Sequence, residues 1–142
     1  MTYKNILVGL DGSDQADRAF ATGLSLAKIL SAELHIAWVV NRDRGMASSF
    51  GVSEDFYQDL AKKVQKKVQP YVAKAEAEGV KVFGHTVIGN IKTVLSKDLP
   101  EEHDIDLIVI GSTGANAVEK MLQGSHSGYV ISHSSSDVLV VK

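Results

Sequence analysis

The chain contains no cysteine, which excludes disulfides, thiol catalysis and thiolate-held zinc together. Aromatic residues are sparse at 6%, and the single tryptophan, Trp38, falls inside a strand pattern. The aromatic pair that sandwiches a flavin is therefore short of material. No apolar run approaches the roughly 20 residues of a membrane helix. The opening MTYKNILVGLDGS is broken by Asp11 before it could supply the apolar core of a signal peptide, so the expectation is a cytoplasmic location without membrane attachment. Charge of one sign is also lacking. A formal net charge of −2 gives no general attraction to nucleic acid or anionic lipid. The one basic cluster, Lys62, Lys63, Lys66 and Lys67 in KKVQKK, reads as the solvated face of a helix.

Hydrophobic residues make up 44% of the 142 residues and charged residues 23%, which suits one domain over 1–142 with a core of its own. Five short β-branched or aliphatic runs read as strands: KNILVGL (4–10), ELHIAWVV (33–40), VKVFGHTVI (80–88), DLIVIG (106–111) and DVLVVK (137–142). Helical patterns separate them. The first follows Ser13, an N-cap candidate, through Ala16, Ala19, Phe20, Leu24 and Ala27. A second, behind a possible Ser53 cap, repeats Phe56, Leu60, Val64, Val68 and Val72, with Pro70 as a potential kink and Gly79 placed to end it. A third spans 90–99 before Pro100, and a fourth runs from about Ser125 to His133. Strict alternation of strand and helix predicts an α/β fold with a parallel sheet covered on both faces. Residues 41–53 lack periodicity and read as a long loop, of the length that often forms a lid or a partner-binding segment.

In an open parallel sheet, ligands bind beyond the carboxyl ends of the strands. There the stretch GSTGANAVEKMLQGSHS (111–127) stands out. Gly111 and Gly114 follow the fourth strand, and Gly124 and Ser125 precede the last helix. Glycine permits close backbone approach, successive N–H groups can cradle an anion, and a helix start adds its own unpaired donors. Ser125 and Ser127 contribute hydroxyls. The spacing describes a phosphate site built largely from backbone, with ordinary turns as the alternative.

This Gly111, Gly114, Gly124, Ser125 arrangement resembles the G-x2-G-x9-G-[S/T] signature of the ATP-binding branch of the universal stress protein family. The resemblance runs the length of the chain, through KNILVGLDGSDQADRAF, LHIAWVV, DLIVIGSTG and DVLVVK. It implies a single-domain, Rossmann-like fold with a five-stranded parallel sheet in the order 3-2-1-4-5, binding ATP, with Mg2+ as a possible companion. Carried over by position, Gly9, Leu10 and Asp11 would lie on the ribose side and Val39 at the adenine edge. Ile110, Gly111, Thr113 and Gly114 would line the ribose and phosphates, while Gly124, Ser125, His126 and Ser127 would hold the phosphates. Asp11 is equally readable as a cap of the first helix. Departures from the family pattern are Ala115, His126, His133 and Asp137. The family's pairing of last strands implies a homodimer.

No committed catalytic set is present. Neither the lysine-bearing phosphate loop nor the G-x-G-x-x-G fingerprint occurs. The expectation is a nucleotide-dependent stress or signalling protein, with slow ATP hydrolysis at most. A true ATPase or phosphotransferase and a flavodoxin-like FMN carrier are the alternatives. His35 and His85 in strands, and His103 in the acidic PEEHDID stretch, have no evident partners in the sequence and read as structural or surface residues.

Overall fold

The computed structural model describes residues 2–42, 54–112 and 127–142. Along the chain come β1 (Asn5–Leu10), α1 (Asp14–Leu30), β2 (Glu33–Asn41), α2 (Glu54–Ala77) and β3 (Val82–Gly89). Then α3 (Ile91–Thr93) runs through a π-helical segment (Val94–Asp98) into α4 (Leu99–His103), followed by β4 (Leu107–Gly111). Residues 127–133 form helix α5, and β5 (Asp137–Val141) closes the sheet. All pairings are parallel, in the order β3-β2-β1-β4-β5, the order that the family resemblance implies.

Alternation along the strands sends side chains to two separate apolar layers. On one face Ile6, Val8, Leu34, Ile36 and Val109 meet Phe20 and Leu24 of α1 and Val64 and Val68 of α2. On the other, Leu7, Ala37, Val39, Ile108 and Ile110 meet Val94, Leu95 and Leu99 of the π/α4 segment and Val130 of α5. β1, β2 and β4 are thus buried on both sides, which explains their unbroken apolar runs.

Local signals set the helix ends. Ser13 caps α1 by accepting from the Ala16 N–H, and the five expected apolar residues of α1 are all buried. Past α2, Gly79 adopts φ +82°, a left-handed conformation that suits glycine. Two expectations need correction. The buried residues of α2 include Tyr57, Val64, Val68 and Ala75, whereas Phe56 is 55% and Leu60 37% exposed. A strict four-residue spacing drifts by about 40° per step around a helix of 3.6 residues per turn, so the expected series leaves the core-facing stripe. The third helix also does not stop before Pro100. It continues to His103, because the wider π turn, closed by the Leu99 N–H on the Val94 carbonyl, places Pro100 in the first turn of α4, where its missing N–H is tolerated. The Ser53 cap and most of the 41–53 loop lie outside the described residues.

Candidate nucleotide crevice and a histidine cluster

The strand registers open a crevice at the carboxyl edge of the sheet. β1 pairs with β2 as far as Leu10 opposite Trp38, and β4 pairs with β5 as far as Gly111 opposite Val141. Between β1 and β4, however, pairing ends at Val8 opposite Val109. Gly9 and Leu10 therefore diverge from Ile110 and Gly111. This is the point where connections to the left and right of β1 part, and where open parallel sheets take ligands.

The neighbouring backbone faces this gap. In β2, the Glu33 N–H donates toward β1, to the Lys4 carbonyl, while the Leu34 and Arg42 N–H groups donate toward the β3 side, to Lys81 and Gly89. That alternation turns the peptide groups of Val39 toward β1, one residue past the last β1–β2 pair. Asp11 is exposed, and its Oδ1 accepts from the Ser13 N–H at 2.9 Å. The alternative reading of Asp11 as the helix cap is thus corrected: the cap is Ser13, and Asp11 braces the turn that leads to it. Across the gap, the Ser127 hydroxyl donates to the Gly111 carbonyl at 3.4 Å, tying the start of the described part of α5 to the end of β4. The Ser112 N–H donates to the Val141 carbonyl at 2.7 Å.

Of the residues singled out in the sequence, Gly9, Leu10, Asp11, Val39, Ile110, Gly111 and Ser127 gather at this edge. Thr113, Gly114, Gly124, Ser125 and His126, with Ala115, lie outside the described residues. Gly111 has a reason of its own to be glycine. A Cβ there would stand 2.6 Å from the carbonyl carbon and oxygen of Gln15, so α1 packs directly on the end of β4. Gly12, at φ +85°, lies beside the rim of Trp38, which puts the single indole next to the crevice.

Sequence reasoning left three histidines without partners, and the structure brings them together. His35 of β2, His85 of β3 and His103 of α4 each direct one ring nitrogen into a group whose ligating atoms all lie within 4.8 Å of one another. His35 Nδ1 and His85 Nε2 are 3.0 Å apart. The ring of His103 lies 4.8 Å from that of His35 and 4.6 Å from that of His85. His35 is 4% exposed and the other two are half-buried. Burial, then the neighbouring His85 and His103, push His35 down to about 4 against the opposing pull of Glu33; burial and His103 lower His85. At neutral pH His35 is thereby held as a neutral imidazole, and His85 is biased the same way. The signal that could have found them is the register: Ala37 pairs with His85, so His35 and His85 lie two positions apart on the same face.

The sequence profile of the universal stress protein family matches residues 2–142. A chain of Staphylococcus aureus (strain USA300) named as a universal stress protein is 36% identical over 144 residues, an alignment covering all of this chain and 86% of that one. The structure is similar to universal stress protein UspA from Lactobacillus plantarum, with TM-score 0.74, 29% identity, and coverage of 100% of this chain and 99% of that one. It is also similar to a universal stress protein crystallised in complex with cAMP, with TM-score 0.71, 26% identity, and coverage of 100% and 98%. The chain belongs to the universal stress protein family.

Proposed function

We propose that this chain binds ATP in the crevice between β1 and β4 and acts as a nucleotide-dependent stress or signalling protein. The observation that carries the reading is the divergence of β1 and β4 beyond Val8 and Val109, at the sheet edge where Val39, Asp11, Gly111 and Ser127 gather. A nucleotide-bound relative of the same fold supports it. In this reading the Val39 peptide pairs with the adenine edge, and Asp11 faces the ribose beside Gly9 and Leu10. Ile110, Gly111, Thr113 and Gly114 line the ribose and the first phosphates, and Gly124, Ser125, His126 and Ser127 hold the rest. Mg2+ held with the help of Asp11 would offset the phosphate charge. Residues 1–142 then form one nucleotide-binding domain, working in the cytoplasm as a homodimer joined through β5. Hydrolysis is slow at most.

The test is mass spectrometry of small molecules released on denaturing the freshly purified chain, with Gly124→Val alongside. The expected result is ATP or ADP from the wild type and neither from the variant, and their ratio reads hydrolysis. Trp38 fluorescence should follow added ATP, since the indole borders Gly12 at the crevice. A wild type that releases no nucleotide and whose indole ignores added ATP would overturn the reading.

A further inference from the structure

We infer that His35, His85 and His103 form a binding site for a divalent transition-metal ion, Zn2+ in the first instance, at β2 and β3 rather than at the crevice between β1 and β4. The three side chains come from three elements, β2, β3 and α4, and converge with all ligating atoms within 4.8 Å. Three imidazoles without thiolate suit zinc, copper and nickel rather than calcium or magnesium. Zinc held by three histidines keeps its fourth position for water or a carboxylate. Glu102, whose Oε2 is 3.7 Å from His103 Nε2, is the carboxylate at hand.

The geometry is close to what coordination requires. Tetrahedral zinc with bonds of 2.0–2.1 Å sets its nitrogens about 3.4 Å apart. The His35–His85 edge is already 3.0 Å. The longest separation of 4.8 Å requires a closure of about 1.4 Å to reach the zinc spacing. That closure falls naturally to His103, the last residue of a five-residue helix that ends at Asp104 in the left-handed conformation.

The outer partners are also in place. His35 Nε2 faces Glu33 Oε1 at 4.0 Å, while Glu33 Oε2 is held by Lys81 at 3.3 Å. A proton on Nε2 aimed at this carboxylate leaves the Nδ1 lone pair directed into the cluster. Carboxylates behind ligating histidines fix the tautomer in this way in metal sites generally. The ring of Phe83 stacks on His35 with centroids 4.9 Å apart, which restricts its rotation. A hydrogen bond between His35 and His85 alone would use two of these groups and leave the convergence of His103 unused.

The experiment is calorimetric titration of the full, untagged chain, freed of nucleotide and chelated metal, with zinc chloride alone. One ion per chain is expected, with affinity weakened at least tenfold in both His85→Gln and His103→Gln. His133→Gln should bind as the wild type does, because His133 lies away from the cluster, donating from Nδ1 to the Tyr129 carbonyl. Circular dichroism checks that each variant is folded. Zinc K-edge X-ray absorption of the loaded wild type reads the ligands directly and does not depend on any variant: three imidazoles are expected. Absence of saturable binding, equal affinity in the His103 and His133 variants, or fewer than three imidazoles at the ion would each overturn the site.

Discussion

Gly111 belongs to the spacing from which a phosphate site was read, yet its immediate neighbour is the backbone of Gln15 at 2.6 Å from any added Cβ. Backbone atoms inside a helix cannot swing aside as a side chain can. Gly111→Ala should therefore destabilise the fold by about 2 to 3 kcal/mol, toward the upper end of overpacking effects. Gly79→Ala meets open space and suffers only from its φ of +82°, for a loss of about 1 kcal/mol. Urea unfolding of the two variants checks the difference, and equal losses would show that the Gln15 backbone yields to a methyl group at little cost. The spacing in the sequence pointed Gly111 to the crevice and left the helix contact unseen, because that contact depends on where α1 returns to the sheet.

At the level of elements, α1 and α2 are joined on their shared side of the sheet by Tyr71, whose hydroxyl donates to Asp17 Oδ1 at 2.5 Å and whose ring meets Phe20 edge to face. Burial, and then the bond to Asp17, raise the Tyr71 phenol to about 12 from an ordinary 10.0. Between those values the unfolded chain releases a proton that the folded chain keeps, so stability falls as pH rises from 10.0 to about 12. Tyr71→Phe should be less stable at neutral pH and should lose this part of the alkaline decline, measured as the urea midpoint across that window. An unchanged decline would place the titrating group elsewhere. The α1 pattern was legible because Ala16, Ala19, Phe20, Leu24 and Ala27 follow the helical period. In α2 a four-residue spacing that imitates the period misled, and Tyr57 took the place expected of Phe56. The amides that open α3 are also spoken for: Asn41 accepts from Ile91, and Asn90 from Lys92 and Thr93. That helix start has no free donors to offer an anion.

For the whole molecule, the strand order came from the family resemblance. The parallel sheet and its two covered faces were readable from the alternation of strand and helix and from the unbroken apolar runs, since each strand's burial is written in its own residues. The convergence of His35, His85 and His103 was not, because it depends on strand register and on the length of the π segment that delivers His103. Assembly is the remaining matter at this scale. β5 is an edge strand, and Leu139 on it is 37% exposed. An apolar edge of this kind invites a partner strand, and the proposed homodimer supplies one. Sedimentation equilibrium should give twice the chain mass for the wild type and a single chain mass for Leu139→Lys. A monomeric wild type would remove β5 as the joint.

The unequal pairing of the strands also gives the sheet a seam. Three residue pairs, from Ile6 with Leu107 to Val8 with Val109, hold β1 to β4, against eight between β2 and β3. The sheet can be divided there into two panels, β3-β2-β1 and β4-β5, joined along that short ladder and braced by α1. Anything lodged where the seam gapes would touch both panels at once and rivet them together. Amide exchange along Val8 and Val109 would then slow most when the crevice is filled.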